Sequence, residues 1–361
     1  MAAGELLGNQ MPAFPDARMI DATRANADVG AKGDVVLTAA QVASWRERGF
    51  ALVDGVFPAA MIDTLADEAT AAFPSADSEA STAVTGFGSH GGFVFPASPI
   101  FNAITLHPPL LRAIAQLLDL PVTDLRLTQS DLWPKYGRRE KLHGAQDGED
   151  QRIHVDYPNH LLTHPTPWER PAAVEMILYL SDFDDCGGPT AVVPREGPSD
   201  PLYPWPIVAT PGVAGLAYVN DRESAEAYMA AEQPAAADLR SRLYARERYA
   251  RYRPGTLLLY RHDTWHRGTP MRPGALRLAQ NLTYRRADAE WISTLHIGWA
   301  WAMYRRDHAM EQLIADASLE QRAVLGFPQP GASYWCSKTV EAVAARFGPF
   351  GMDMTPYREA L

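Results

Sequence analysis

The tripeptide His154-Val155-Asp156 carries two side chains that bind transition metals. In an extended strand successive side chains point to opposite faces, so His154 and Asp156 project to one side and Val155 to the other. The alternative to a metal site is a hydrogen-bonded polar pair at a strand edge. With a third ligand from elsewhere, the pair would form the two-histidine, one-carboxylate triad that suits non-haem Fe(II) and oxygen chemistry.

Two candidates for a third ligand, His262 and His266, follow the apolar run at 256–260. A β-sandwich presents functional side chains where such a strand ends. We prefer His266 because Arg277 lies 11 residues beyond it, in a run that alternates polar and apolar side chains. A guanidinium buried among short strands needs an anionic partner. A dicarboxylic acid bound beside the metal would supply one.

Together, His154-x-Asp156, His266 and Arg277 resemble the His-x-Asp…His-x10-Arg signature of Fe(II)/2-oxoglutarate dioxygenases, specifically the phytanoyl-CoA dioxygenase family. The segment 187–194, Gly-Gly-Pro-Thr-Ala-Val-Val-Pro, is similar to that family's glycine-rich turn and Val-Val-Pro strand. The resemblance covers residues 36 to 286, and the combined motif is far more specific than any one part.

The resemblance implies that His154, Asp156 and His266 bind Fe(II) and that Arg277 pairs with the distal carboxylate of 2-oxoglutarate. The implied reaction consumes O2 and 2-oxoglutarate, releases succinate and CO2, and hydroxylates an unactivated C–H bond of a small organic molecule. Three further polar residues are candidates for binding 2-oxoglutarate by the same resemblance, namely Gln129, Lys135 and Thr190.

Several alternatives remain at this stage. Asp156 favours hydroxylation over halogenation, because related halogenases carry a small residue there. The same iron site could perform desaturation, epimerisation or ring chemistry. Other classes are a non-catalytic binding protein on the same fold and a zinc hydrolase, which would need neither Arg277 nor oxygen. The family's Pro-Gly-Ser-His ending reads Pro-Arg-Glu-Gly-Pro at 194–198, so the substrate stays undefined.

The composition restricts the possible partners and the cellular location of the protein. The chain has 361 residues, of which 47% are hydrophobic, and a formal net charge of -10, which disfavours nucleic acid and anionic membranes as partners. Cys186 and Cys336 are the only cysteines, too few for a disulfide framework, so we expect a cytoplasmic protein. The N-terminus does not read as a signal peptide, and no segment reaches the roughly 18 apolar residues of a membrane span.

Short strand-like segments separated by turns, without βαβ alternation, predict a mainly β fold with flanking helices, a cupin-like jelly roll or double-stranded β-helix. We expect a loosely ordered arm at 1–36 and a single oxygenase domain at 37–361. Within it we expect a jelly-roll core at about 124–286, a helical insertion at about 221–252 that is either a lid or a solvated decoration, and a helical tail at about 288–361. The oligomeric state cannot be read from the sequence.

Overall fold

The protein is described by a computed structural model that covers residues 14–26, 35–84, 95, 97–137, 150–161, 163–207, 221–289, 308–319, 322 and 327–361. The strands in these segments are β1 (Met19–Ile20), β2 (Thr23–Arg24), β3 (Phe50–Asp54), β4 (Leu125–Tyr136), β5 (Ala173–Tyr179), β6 (Thr190–Val192), β7 (Arg248–Ala250), β8 (Leu257–Tyr260), β9 (His266–Gly268) and β10 (Leu276–Arg286).

The strands pair into two sheets, a six-stranded one in the order β2-β3-β8-β5-β10-β4 and a four-stranded one in the order β1-β7-β6-β9. Pairing is antiparallel except between β1 and β7 and between β2 and β3. Apolar side chains of both sheets, among them Leu52, Val192 and Leu258, form one buried cluster between them. Two facing, mostly antiparallel sheets form a jelly roll, which confirms the predicted fold.

Helices cover the outer face of the larger sheet, where Val174, Met176 and Leu178 of β5 join a core cluster with Ile114 and Leu117. The helices are α1 (Ala39–Ala43), α2 (Ala59–Ala72), α3 (Pro99–Thr105), α4 (Pro108–Leu118), α5 (Tyr157–His160), α6 (Phe183–Cys186), α7 (Arg222–Glu232), α8 (Pro234–Arg246) and three near the C-terminal end, Ala309–Asp316, Ser337–Phe347 and Thr355–Glu359. None of the helices in the described segments has the length and apolar character to cross a bilayer.

Local sequence signals explain how the chain enters the larger sheet. A capping box starts α1, because the Thr38 hydroxyl accepts from the Gln41 N–H and the Gln41 side chain accepts from the Thr38 N–H. A π-helical turn at Ser44–Arg48 ends at Gly49, whose φ of 94° suits glycine. A Cβ at Gly49 would also lie 2.5 Å from Oγ1 of Thr264. Glycine therefore lets β3 start against the loop at 261–265, which leads into the candidate metal ligand His266.

Three expected boundaries need correction. In the expected loose arm, β1 and β2 extend the two sheets by pairing with β7 and β3. The jelly roll includes β3, which pairs with β8, so its strands begin well before residue 124. The insertion is helical only as far as Arg246, because residues 248–250 form β7 inside the smaller sheet. In the tail, the three last helices surround a separate apolar cluster, and residues 290–307 lie outside the described segments.

Candidate metal centre

His154 and His266 face each other across an isolated antiparallel bridge. The N–H of each residue donates to the carbonyl of the other, at 2.9 Å in both directions. The expected alternation holds on either side of His154. The side chains of Ile153 and Val155 are buried in an apolar cluster and do not line the metal site. The expected strand does not continue, because the chain turns at Asp156 (φ −91°, ψ −16°) into α5. This turn brings the carboxylate back towards both imidazoles.

The three side chains present donor atoms to a common point. Nε2 of His154 lies 3.5 Å from Oδ1 of Asp156, and Nε2 of His266 lies 3.2 Å from Oδ2. One ligand atom from each residue can be chosen so that all lie within 4.8 Å of one another. Donor atoms that bind one ion at about 2.1 Å and at right angles are about 3 Å apart. The residues present therefore fit a divalent metal ion.

Hydrogen bonds fix the orientation of each ligand. Nδ1 of His154 lies 3.0 Å from the carbonyl of Arg152, and Nδ1 of His266 lies 3.0 Å from the carbonyl of Thr264. A carbonyl only accepts, so these contacts assign the imidazole proton to Nδ1 and leave Nε2 with the lone pair that a metal needs. The Tyr260 hydroxyl donates to Oδ2 of Asp156 at 3.0 Å.

The pKa shifts of the three side chains also suit metal binding. Burial and, to a smaller extent, the neighbouring His266 lower the pKa of His154 to about 3, although Asp156 opposes the shift. Burial also lowers the pKa of His266, but the carboxylate of Asp156 outweighs that effect and raises it overall. Burial disfavours the charge on Asp156, yet the two histidines hold the pKa of the carboxyl below its ordinary value. An ionised carboxylate beside imidazoles is the donor set that a divalent metal binds.

A cavity of about 140 Å³ adjoins the three ligands. It lies between the smaller sheet and the strands β4, β8 and β10 of the larger one. Alternate residues of β10 face it, as the sequence predicts for Arg277, Ala279 and Asn281. The polar and aromatic residues of its wall include Trp133, Lys135, Thr190, Tyr260, Arg277 and Asn281.

Arg277 is only 9% exposed. Its Nη1 donates to the carbonyl of Gly188 at 2.6 Å, and its guanidinium lies 5.6 Å and 5.9 Å from the ring centres of Tyr179 and Tyr252. The buried Nε has no hydrogen-bond partner among the residues that the structure describes. A guanidinium that retains a buried donor at a cavity wall matches an anionic ligand, because an unsatisfied buried N–H is costly.

The other predicted cofactor residues divide into two groups. Lys135 and Thr190 line the cavity; Lys135 Nζ donates to the carbonyl of Thr269 at 2.7 Å, and Thr190 Oγ1 accepts from the Tyr179 hydroxyl at 2.7 Å. Gln129 is not among the lining residues. It lies further along β4, where its amide nitrogen donates to Asp131. The structure therefore brings Lys135 and Thr190 to Arg277 and leaves Gln129 apart.

Two residues near the ligands have roles that sequence reasoning did not assign. His262, the alternative third ligand, is outside the metal-binding group found in the described segments. Its carbonyl instead accepts from the N–H groups of Asp156 and Tyr157, at 3.0 Å and 2.9 Å, and so holds the turn at Asp156. Tyr260, which donates to the Asp156 carboxylate, stands in the sequence only as the last residue of an apolar strand-like run. Its position just before the ligand loop was the available signal.

A comparison with known families decides the class of this site. The sequence profile of the phytanoyl-CoA dioxygenase family matches residues 45–279, more than half of the 361 residues. The chain belongs to the phytanoyl-CoA dioxygenase family. The matched region contains His154, Asp156, His266 and Arg277. As a member of the phytanoyl-CoA dioxygenase family, the protein is an Fe(II)- and 2-oxoglutarate-dependent oxygenase, which confirms the predicted enzyme class, cofactor and cosubstrates.

Comparisons with individual proteins give distant similarities. No curated protein sequence matches the chain. The non-haem alpha-ketoglutarate-dependent carbocyclase SnoK from nogalamycin biosynthesis is 16% identical, with a TM-score of 0.47 over 71% of this chain and 86% of that one. EctD from S. alaskensis in its apoform is 18% identical, with a TM-score of 0.46 over 79% and 88%. HygX from Streptomyces hygroscopicus with nickel and 2-oxoglutarate is 17% identical, with a TM-score of 0.41 over 70% and 87%.

Proposed function

We propose that His154, Asp156 and His266 hold Fe(II), that Arg277 binds the distal carboxylate of 2-oxoglutarate, and that the enzyme hydroxylates an unactivated C–H bond of a small organic molecule. The observation that carries this proposal is one cavity at which the three-ligand group meets a buried guanidinium whose Nε has no hydrogen-bond partner among the described residues. Three protein ligands leave coordination positions open. When bound, iron and 2-oxoglutarate supply the oxidising chemistry, with succinate and CO2 as co-products.

The side chains of the cavity have separate tasks in this proposal. Arg277 and Lys135 are paired in register on β10 and β4, so two cationic groups lie on one wall and attract a dianionic cosubstrate. Thr190 accepts from Tyr179 and therefore has its own hydroxyl proton to donate to a carboxylate. Ile177 and Ala279 supply apolar wall between these polar groups. Together these residues orient the cosubstrate towards the metal and limit access of water.

Succinate release tests the proposal. The purified protein, Fe(II), 2-oxoglutarate and air would be incubated with a panel of small molecules, and succinate and oxidised product would be quantified by chromatography and mass spectrometry. We expect succinate and a product with one added oxygen atom in equal amounts, and neither from Asp156→Ala. A zinc hydrolase or a binding protein would form no succinate. Desaturation, epimerisation or ring chemistry would form succinate without the added oxygen.

We further infer a cytoplasmic location and a small molecule as the partner. Cys186 and Cys336 are both free thiols in the structure, which suits a reducing compartment. The net charge of -10 disfavours nucleic acid. Fractionation of cells that express the tagged protein would test the location.

A further inference from the structure

The hairpin formed by α7 and α8 contacts the backbone next to His154. Arg240 of α8 is 1% exposed; its Nη1 donates to the carbonyl of Ile153 at 3.1 Å, and its Nε lies 3.0 Å and 2.9 Å from the carboxylate oxygens of Glu226 on α7. One turn later, the Tyr244 hydroxyl accepts from the Ile153 N–H at 3.0 Å and donates to Glu226 at 2.6 Å. Both backbone polar groups of Ile153 are therefore bonded to side chains of the insertion.

A second contact lies next to His266. Arg267 follows this ligand and donates through Nε and Nη2 to the two carboxylate oxygens of Glu247, at 2.5 Å and 3.1 Å. Glu247 directly follows α8 as its C-cap residue, and both side chains of this pair are buried. Arg267 also forms an ion pair with Asp150. The insertion thus holds the chain on the flank of each histidine ligand.

Direct pairing between the two ligand segments is short. Apart from the bridge between His154 and His266, Gln151 bonds Gly268 through its N–H (3.0 Å) and its side-chain oxygen (2.7 Å), and the His262 carbonyl accepts from Asp156 and Tyr157 N–H. The segment of His266 is also held by β6, where Val192 pairs with His266, whereas His154 lies outside the strands named above, and a short segment paired on one side only is marginally stable in water. Metal affinity depends on ligand orientation and on the outer contacts that fix it. The spacing of the two imidazoles therefore needs support from outside the bridge.

We propose that the helix pair α7–α8 of the insertion, together with Glu247, is a clamp that fixes the spacing of His154 and His266 for the metal, with Arg240 as its central positioning residue. This role differs from a lid over the cavity and from a solvated decoration. The reason is that Arg240 and Tyr244 bond the backbone of Ile153 and are not among the residues that line the cavity. The inference rests on the proposed metal site.

Metal titration of the purified, metal-free full chain tests the clamp. The probe is Co(II), whose visible absorption reports coordination geometry as well as occupancy. We expect Arg240→Met to weaken Co(II) binding by about 10- to 100-fold and to alter the spectrum. The matched control is Arg242→Met on the same helix, where the half-exposed arginine contacts Asp238 at the surface. We expect the control to stay within about twofold of the parent protein.

Unchanged Co(II) affinity and spectrum in Arg240→Met, at a temperature where circular dichroism shows a folded protein, would overturn the clamp. If Arg240→Met does not fold, Tyr244→Phe takes its place, since it removes only the hydroxyl that bonds Ile153 N–H. It should weaken binding by about three- to tenfold, and unchanged affinity would again overturn the clamp. Failure of the parent protein to bind Co(II) would overturn the metal site and the clamp together.

Discussion

Replacing Arg277 by methionine should separate cosubstrate binding from metal binding. The side chain donates to Gly188 through Nη1, and its buried Nε at the cavity wall has no hydrogen-bond partner in the part of the chain that the structure describes. Methionine retains an unbranched apolar stem that can pack on Tyr179 and Tyr252, but it provides no donor and no charge. Because Arg277 is outside the metal-ligand group, the substitution should leave the affinity for the metal unchanged.

The size of the effect follows from the bonds removed. A hydrogen bond to a charged group contributes about 1.5–3 kcal/mol, and each 1.4 kcal/mol corresponds to about tenfold in Kd. We therefore expect the Kd for 2-oxoglutarate to rise by about 10- to 150-fold. Arg277→Lys should fall between the parent protein and the methionine variant, because lysine keeps the charge and loses the planar fork.

Anaerobic calorimetry of the Fe(II)-loaded protein with 2-oxoglutarate measures this change directly. Arg126→Met is the matched control, since Arg126 is an exposed arginine on the neighbouring strand β4, and it should leave the Kd unaltered. Loss of the Gly188 contact should lower the melting temperature of Arg277→Met, so titrations belong well below that temperature. A Kd equal to that of the parent protein would refute the assigned role of Arg277.

Two further predictions concern residues beside the site. Tyr260→Phe removes the hydroxyl that donates to Asp156 and should weaken Co(II) binding by about tenfold; an unchanged titration would mean that this bond does not orient the carboxylate. Burial raises the pKa of Asp131 to about 7, although bonds from Trp133 and Gln129 oppose the rise. An acid with a raised pKa binds its proton more tightly in the folded than in the unfolded chain, so its contribution to stability falls as the pH rises from about 4 to about 7. Asp131→Asn should therefore flatten the pH dependence of the urea midpoint of the metal-free protein, and a slope like that of the parent protein would contradict the shift.

The period of a β-strand explains what the sequence could predict about the site. Alternation alone assigns Arg277, Ala279 and Asn281 to one face, and all three line the cavity. Alternation does not measure distance along a strand. Gln129 and Lys135 fall on the same face of an alternating strand, but a spacing of six residues at about 3.3 Å each separates them by about 20 Å. For this reason Lys135 reaches the cavity and Gln129 does not.

Other features depend on contacts that no local pattern encodes. The strands β1 and β2 have two residues each, which is too short for a recognisable pattern, so the sequence predicts a loosely ordered N-terminal segment. The Ala-, Glu- and Arg-rich insertion has the composition of a solvated helix pair. The sequence does not reveal that Arg240 meets the backbone of Ile153, since the contact spans 87 residues. Tertiary contact decides the role of such residues.

An anaerobic crystal structure with Fe(II) and 2-oxoglutarate tests the central claim most directly. The account predicts one ion at about 2.0–2.2 Å from Nε2 of His154, a carboxylate oxygen of Asp156 and Nε2 of His266. It also predicts that the distal carboxylate of 2-oxoglutarate lies against the guanidinium of Arg277. An ion bound elsewhere, for example at His262, or 2-oxoglutarate bound away from Arg277, would contradict it.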